Sequence, residues 1–304
     1  MQFGDGSTLA GNFVNDCLEG PGTYREASGV TYEGTYKEGL LEGPGVEREE
    51  DGTVFFEGAY SGGVRDGPGV LRFKEGARIE GQWAEGCLEG EAVYYYPDGS
   101  ALQGTWRRGD LQRASFKSAV AAEFDVPQKV FAKDEPTTRR IARRPLLQDP
   151  YEAQYTYVKA SGLAGAGEGL FMQRDVPAGF VVAMYGGIRI SLEEGDKKEW
   201  RLKPNLICLD DHMCVDVPLE YSDLSVYKAT TGHKANHHWN FNAAYKMYYN
   251  HPIFGRIRCI RSIRPIKKDE EVTVNYGYIK EDCPPWYLNF MEGHWDKINP
   301  LPNK

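Results

Sequence analysis

Glycine followed two residues later by an aromatic ring recurs five times in the first third of the chain. The pairs are Gly11/Phe13, Gly34/Tyr36, Gly58/Tyr60, Gly81/Trp83 and Gly104/Trp106, at intervals of 23, 24, 23 and 23 residues. A second element keeps the same beat: LEGPG at 18–22 and 41–45, DGPG at 66–69, LEGEA at 88–92. A turn glycine precedes each unit, at Gly6, Gly29, Gly52, Gly76 and Gly99. Five units in phase restrict this region to a stacked array. Each reads as strand, glycine turn, strand: TYEGTY (31–36) and VYYYPDGS (93–100) alternate as strands do, and Asp-Gly supplies turns with positive φ. One hairpin cannot bury its own face, so the units are expected to join into an extended antiparallel sheet.

The rest of the composition excludes several classes. With 304 residues the chain is long enough for two or more domains. Its hydrophobic content is 41%, with no long apolar run, so no membrane span is expected. MQFGDGSTL carries no basic start followed by an apolar run, so no signal peptide is read there. Six cysteines, scattered and without a C-x2-C pair, suit a reducing compartment and argue against a disulfide framework or a cysteine-rich zinc cluster. Residues 1–118 hold 11 Lys and Arg against 20 Asp and Glu, whereas residues 119–304 hold 25 against 24. An acidic front repels DNA and attracts basic proteins; it equally serves solubility. Residues 119–150, with four prolines and paired arginines, read as a connector. The Arg-Arg steps there also resemble a nuclear address.

From about residue 151 the texture changes. YTYVKAS (155–161) alternates as a strand, FVVAMYGGIRI (180–190) reads as a buried strand entering a turn, and EEVTVNYGY (270–278) as a strand ending in Tyr-Gly-Tyr. The glycines of GLAGAGEGLF (162–171) fit neither dinucleotide nor P-loop spacing, which leaves a loop between strands where backbone can approach a ligand. GHKANHHW (232–239) holds three of the six histidines, with His233 and His237 at i, i+4. On a helix that spacing could hold zinc, yet Lys234 stands where a zinc peptidase needs a general-base Glu. No G-x-S-x-G elbow is present for a hydrolytic triad. A purely structural histidine cluster stays open.

The five units resemble MORN repeats, Y-x-G-x-[WY]-x-x-G-x-x-x-G-x-G. In the second half, G-x-G-L-F at 167–171, Tyr185-x-Gly187, Asn236-His237 and DEEVTVNYGY (269–278) occur in the order that resembles the SET domain of protein-lysine methyltransferases. GHKANH, DPYE (149–152) and GRIRCIR (255–261) resemble its MORN-containing subgroup. The resemblance implies a mainly β chain: a MORN-repeat domain at 1–118, the connector at 119–150, and a SET catalytic domain at 151–280. That domain would have small β-sheets and a knot-like thread, followed by a short C-terminal segment at 281–304. It also implies transfer of one methyl group from S-adenosyl-L-methionine, without a metal, to a lysine ε-amine. The subgroup acts on lysine 4 of histone H3 and on non-histone proteins. The partners implied are the histone H3 tail or other basic lysine-containing peptides, with no direct nucleic-acid contact. The expected state is a monomer, nuclear at chromatin as well as cytoplasmic.

Residue by residue, the resemblance assigns catalysis to Tyr276, Tyr185, Tyr245 and His237. The methyl donor falls to Ala166, Gly167, Glu168, Asn205, His233, Lys234, Asn236, His237 and Trp286. The peptide falls to Tyr185, Asp196, Trp200, Tyr245, Arg258, Tyr276 and Tyr278. Tyrosine suits a lysine channel because its ring packs on the stem and its hydroxyl can bond the amine. The subgroup has lysine where this chain has Arg258, Ser-Cys-x-Pro-Asn is replaced by His238-Trp239-Asn240-Phe241-Asn242, and Phe290 stands where the subgroup has a glutamate. These departures leave an alternative: a weak or inactive SET scaffold whose repeat sheet binds a protein or membrane.

Overall fold

The computed structural model describes residues 1–120, 129–134, 140–202, 204–278, 280, 283–292 and 294, apart from the side chains of Trp200 and Phe290. The chain forms two compact units, Met1–Lys133 and Asp134–Lys304.

The first unit is a ten-stranded antiparallel sheet in which every strand pairs with its sequence neighbours. Its strands are β1 (Thr8–Val14), β2 (Cys17–Arg25), β3 (Thr31–Lys37), β4 (Leu40–Arg48), β5 (Val54–Ser61), β6 (Val64–Arg72), β7 (Arg78–Ala84), β8 (Cys87–Tyr95), β9 (Ala101–Arg107) and β10 (Asp110–Lys117). The recurring glycine of each unit lies in one row across the sheet, through Gly11, Gly22, Gly34, Gly45, Gly58, Gly69 and Gly81. The row passes beneath larger side chains. A Cβ on Gly34 would lie 2.7 Å from Leu41, and one on Gly69 would lie 2.6 Å from the Phe56 ring. Glycine is thus required by close packing here as much as by backbone freedom. The aromatic partners, Tyr36, Tyr60, Trp83 and Trp106, are buried on the same core as Leu18, Leu41, Phe56 and Leu102.

Turn chemistry divides between the two ends of the hairpins. At Glu38-Gly39, Glu85-Gly86 and Arg108-Gly109 both loop residues have positive φ, the geometry of a two-residue tip that matches strand twist. The Asp-Gly pairs sit at the opposite end, where Asp5, Asp51 and Asp98 accept from the amides of Ser7, Thr53 and Ser100. The acidic surplus has a local use as well. Glu19 accepts from Glu38 N (2.9 Å), Glu42 from Gly62 N (2.8 Å), Asp66 from Glu85 N (3.5 Å) and Glu89 from Arg108 N (2.7 Å). Each acid therefore ties its hairpin to the tip of the next. Inside the sheet, Arg65 holds the buried Glu47 through two bonds of 2.6 and 2.8 Å, and Tyr60 donates to the same carboxylate. Beyond β10, Phe131 pairs with Ala114 (2.9 and 3.0 Å) and Lys133 N donates to Leu111 O (2.8 Å). This first unit therefore includes described residues of the expected connector. Residues 121–128 and 135–139 of the connector lie outside the described residues.

The second unit has three small sheets. They are built from β11 (Thr156–Ala160), β12 (Glu168–Met172), β13 (Val181–Tyr185), β14 (Ile188–Ser191), β15 (Leu206–Cys208), β16 (Met213–Asp216), β17 (Asn236–His237), β18 (Ala243–His251), β19 (Gly255–Ser262) and β20 (Glu271–Val274). Their orders are β11-β12-β20-β17, β13-β19-β18 and β14-β16-β15. Helices are short: α1 (Leu192–Lys197), with a Ser191/Glu194 capping box, and α2 (Pro285–Phe290). The β17–β20 pair is parallel, with Asn236 opposite Thr273 and His237 opposite Val274. It sets the last tyrosine motif beside the Asn-His segment. The cysteines yield one departure from expectation: register places Cys208 opposite Cys214 across β15 and β16, and the two form a disulfide. Sequence spacing gives no hint of this bond, because strand pairing creates it. Among the described residues no helix is long and apolar enough to cross a membrane.

Candidate active site

Three elements of the second unit converge on the Asn-His segment. β13 ends in Tyr185, β18 carries Tyr245, and the chain leaving β20 presents Tyr276 and Tyr278. Gly232–Lys234 form a single 3₁₀ turn, after which Asn236 and His237 enter β17. His233 and His237 therefore do not share a helical face, and the spacing that suggested a zinc pair is not realised.

These residues line two cavities. One, of about 480 Å³, is bounded by Ala166, Glu168, Lys234, Asn236, His237 and Trp286. The other, of about 500 Å³, is bounded by Tyr185, Tyr245, Arg258 and Tyr278, with Lys246 and Phe241. Asn205, His233 and Tyr276 line both, so the two spaces share a wall. Gly167 lines neither, although its φ of +70° shapes the loop before β12. Asp196 lies in a separate hollow with Glu193 and Asp211. Trp200 lies in a 3₁₀ turn, and its side chain is outside the description, as is that of Phe290.

Polar contacts organise the first cavity. Lys234 donates to Glu168 (2.7 Å) and to Ser222 O, so its charge is neutralised beside the cavity. Asn236 Nδ2 donates to Glu168 O (2.9 Å) and to Glu271 Oε1 (3.0 Å). The Glu271 carboxylate also accepts from Ser161 Oγ (2.6 Å) and Gly162 N (3.0 Å), which pins the glycine loop. His237 Nδ1 accepts from Tyr276 N (3.2 Å), so the ring carries its proton on Nε2, near Tyr287 Oη (3.2 Å) and Met291 Sδ (3.2 Å). Burial lowers the pKa of His237 to about 4, helped by His238, and that of His233 to about 3, helped by Lys234. Both rings are neutral near pH 7. Neither nitrogen of buried His233 makes a well-formed hydrogen bond among the described residues, although the Thr230 backbone acts on the ring. An unpaired buried polar group costs about 1–3 kcal/mol, so a polar partner at this ring would be stabilising.

The second cavity is aromatic. The Tyr185 and Tyr245 rings are 6.0 Å apart at 79°, and Tyr276 and Tyr278 are 5.9 Å apart at 79°. Tyr185 Oη donates to Asn205 O (2.8 Å), while the Asn205 amide is held by Val217 O (3.2 Å) and Ser222 Oγ (2.9 Å). Tyr276 Oη reaches Ala235 O at 3.3 Å. The Tyr245 hydroxyl takes no hydrogen-bond partner among the described residues. Burial raises the pKa of all four phenols. They therefore remain neutral dipoles, and none serves as a phenolate base near pH 7. Arg258 donates to Cys208 O through Nε (2.8 Å) and a terminal nitrogen (2.6 Å), which commits it to β15.

Reading the sequence missed Glu271, Tyr287 and Met291, all of which contact an assigned residue. Tyr287 on α2 and Met291 at its C-terminal cap stand at i, i+4 and both meet His237; that spacing was their only signal. Glu271 carried none beyond its place in DEEVTV.

The SET domain family matches residues 167–277, and the MORN repeat family matches residues 32–54, 56–78 and 80–101. Over 174 residues the chain is 37% identical to "Histone-lysine N-methyltransferase SETD7" of Halocynthia roretzi, covering 55% of this chain and 45% of that protein. The chain thus spans less than half the length of that curated relative. Two solved structures are similar over part of the chain. One is a humanized mutant of the Chaetomium thermophilum Polycomb Repressive Complex 2 bound to the inhibitor GSK126 (29% identity, TM-score 0.32, 41% of this chain and 15% of that one). The other is ctPRC2 in an autoinhibited conformation bound to S-adenosylmethionine (24% identity, TM-score 0.33, 46% of this chain and 17% of that one). This chain carries a SET domain behind an array of MORN repeats.

Proposed function

We propose that the chain is a protein-lysine N-methyltransferase that uses S-adenosylmethionine. The observation that carries this reading is the pair of cavities sharing a wall at His233, Asn205 and Tyr276. A methyl transfer between two bound reactants needs two chambers that meet at one point, with the reacting atoms in line. S-adenosylmethionine, when bound, supplies a methyl group on a sulfonium cation. The first cavity fits it: Lys234 is neutralised by Glu168, both histidines are neutral, and the His233 ring, without a well-formed hydrogen bond among the described residues, can meet a polar group. Asn236, His237, Ala166 and Glu168 would hold the donor, with the Trp286 ring at the rim.

The acceptor is a lysine ε-amine in the aromatic cavity. The amine must be neutral to attack. A dry aromatic wall and the nearby cations Lys246 and Arg258 disfavour an ammonium. The phenols hold the amine by dipole rather than by taking its proton, since burial keeps them protonated. The free Tyr245 hydroxyl can bond the amine and occupies space a second methyl would need, which favours one methyl per lysine. The hollow of Asp196, Glu193 and Asp211 supports a basic residue near the target lysine. On this reading the substrate is a basic peptide such as the histone H3 tail at lysine 4, met in the nucleus by a monomeric enzyme.

Labelled S-adenosylmethionine with an H3-tail peptide tests the proposal. Transfer of a single methyl, with donor binding by calorimetry, is expected. A folded chain that neither binds the donor nor transfers methyl overturns it.

A further inference from the structure

Asp149-Pro150-Tyr151-Glu152 lines neither cavity, yet its polar side chains reach the elements that build them. Tyr151 Oη donates to Val181 O (2.5 Å) at the start of β13. Glu152 is fully buried, in the 3₁₀ turn Glu152–Gln154. Its Oε2 accepts from Met184 N (3.1 Å), one residue before Tyr185. Its Oε1 accepts from Thr231 N (2.7 Å) and from Thr231 Oγ1, two residues before His233. One carboxyl group thus bridges the strand that ends in Tyr185 and the turn that presents His233. Those two backbones are in direct contact: a Cβ on Gly232 would lie 2.6 Å from Met184 O and 3.1 Å from Tyr185 Cβ. A parallel tie runs from Gly186 N to Thr230 Oγ1 (2.9 Å), which also meets Tyr227 Oη at 2.8 Å.

From this geometry we infer that Glu152 is a positioning residue, which sets the distance between the Tyr185 wall of the lysine-side cavity and the His233 wall that both cavities share. Its effect on rate rests on the methyltransferase reading; the tie itself does not. Asn236 and His237 have their own anchor in β20, and Tyr185 has its own in β19. What Glu152 adds is the coupling between them. A displacement of about 1 Å between reacting groups can cost roughly a hundredfold in rate.

The surroundings make this tie sensitive to pH. Asp149 Oδ1 accepts from Glu152 N (2.9 Å), and its Oδ2 stands 3.2 Å from His251 Nε2 on β18; Tyr227 packs from the segment before the 3₁₀ turn. Burial above all, with Asp149 adding, pushes the Glu152 carboxyl up to about 8 from its ordinary 4.5, against donors that pull it down. A carboxyl raised on folding stabilises the fold fully below 4.5 and loses that contribution as pH rises through about 8.

Glu152→Ala, Glu152→Gln and Thr231→Val in the full chain test the inference, read by amide hydrogen exchange at Met184 and Thr231, donor calorimetry and methyl-transfer kinetics on a basic lysine peptide. Glu152→Ala is expected to speed exchange of both amides and lower kcat by about tenfold or more, with donor Kd changed less than about threefold. Glu152→Gln should recover protection at Thr231 and flatten the wild-type decline in stability between about pH 5 and 8. If Glu152→Ala fails to fold, Thr231→Val, which removes one of three donors, should show the same pattern with about a threefold fall in kcat. Unchanged exchange in a folded variant, unchanged kcat despite faster exchange, or a donor Kd that rises as far as kcat falls would overturn the inference. A wild-type chain with no transferase activity would overturn the proposed function, and the exchange measurement would still decide whether Glu152 makes the tie.

Discussion

The two units are connected on opposite plans. In the repeat sheet, strand order is sequence order, and each hairpin meets only its neighbours. In the second unit β12 pairs with β20, β13 with β19, and β17 runs parallel to β20. Local pairing spreads stability over equivalent links. Non-local pairing gathers distant residues into one place: Ser161 and Glu271, 110 positions apart, share a hydrogen bond beside the first cavity. Redundancy builds a scaffold, and convergence builds a site.

Mutations sharpen this contrast. The largest loss is expected where the repeat packs backbone on backbone. A Cβ on Gly104 would lie 1.9 Å from Arg113 O, so Gly104→Ala should destabilise the sheet by about 3 kcal/mol in urea melts. Hydrogen exchange should place that loss in β9 and β10. Next, Arg65→Ala strands the buried Glu47 carboxylate; because Arg65 is partly exposed, about 2 kcal/mol is expected, by the same melts. In the second unit Asn236→Ala removes the bonds to Glu168 and Glu271. Donor affinity by calorimetry should fall about tenfold, or ~1.4 kcal/mol, with little change in the melt. Glu42→Gln touches one exposed link of the ladder, its bonds to Gly62 N and Ser61 Oγ, and should cost about 0.5 kcal/mol. If it cost as much as Arg65→Ala, the links would not be equivalent and independent.

The smallest expected effect is on donor affinity with pH. His233 and His237, with pKa values held down near 3 and 4, stay neutral, so their contribution to affinity should be flat between about pH 6 and 8. Folding favours the neutral rings, so their contribution to stability is complete above the ordinary 6.5 and is lost as pH falls towards 4. Resonances of His233 or His237 that titrate near pH 6.5 would refute this.

The repeat was legible because its determinants are local: a glycine, an aromatic two residues on, and a turn. Sequence alone did not show that the glycines form one row under Leu41 and Phe56, or that the acids are hydrogen-bond partners rather than only surface charge. Both depend on register between strands. In the second unit, resemblance named residues in motif order, and the fold gathers most of them around two cavities. Asp196 stands apart because it lies on α1, which packs on β14 and β16 away from the tyrosines. Glu271, Tyr287 and Glu152 went unread because each acts on a segment far from it in sequence, and nothing in their own neighbourhoods marks the partner.

The acid ladder gives the repeat array a direction. Glu19, Glu42, Asp66 and Glu89 each answer an amide in the following hairpin, never in the preceding one. Excising one whole period would rejoin acid to amide and lose a single link, whereas excising half a period would leave an acid facing the wrong strand. The array is a ruler graduated in hairpins, free to change length only by whole divisions.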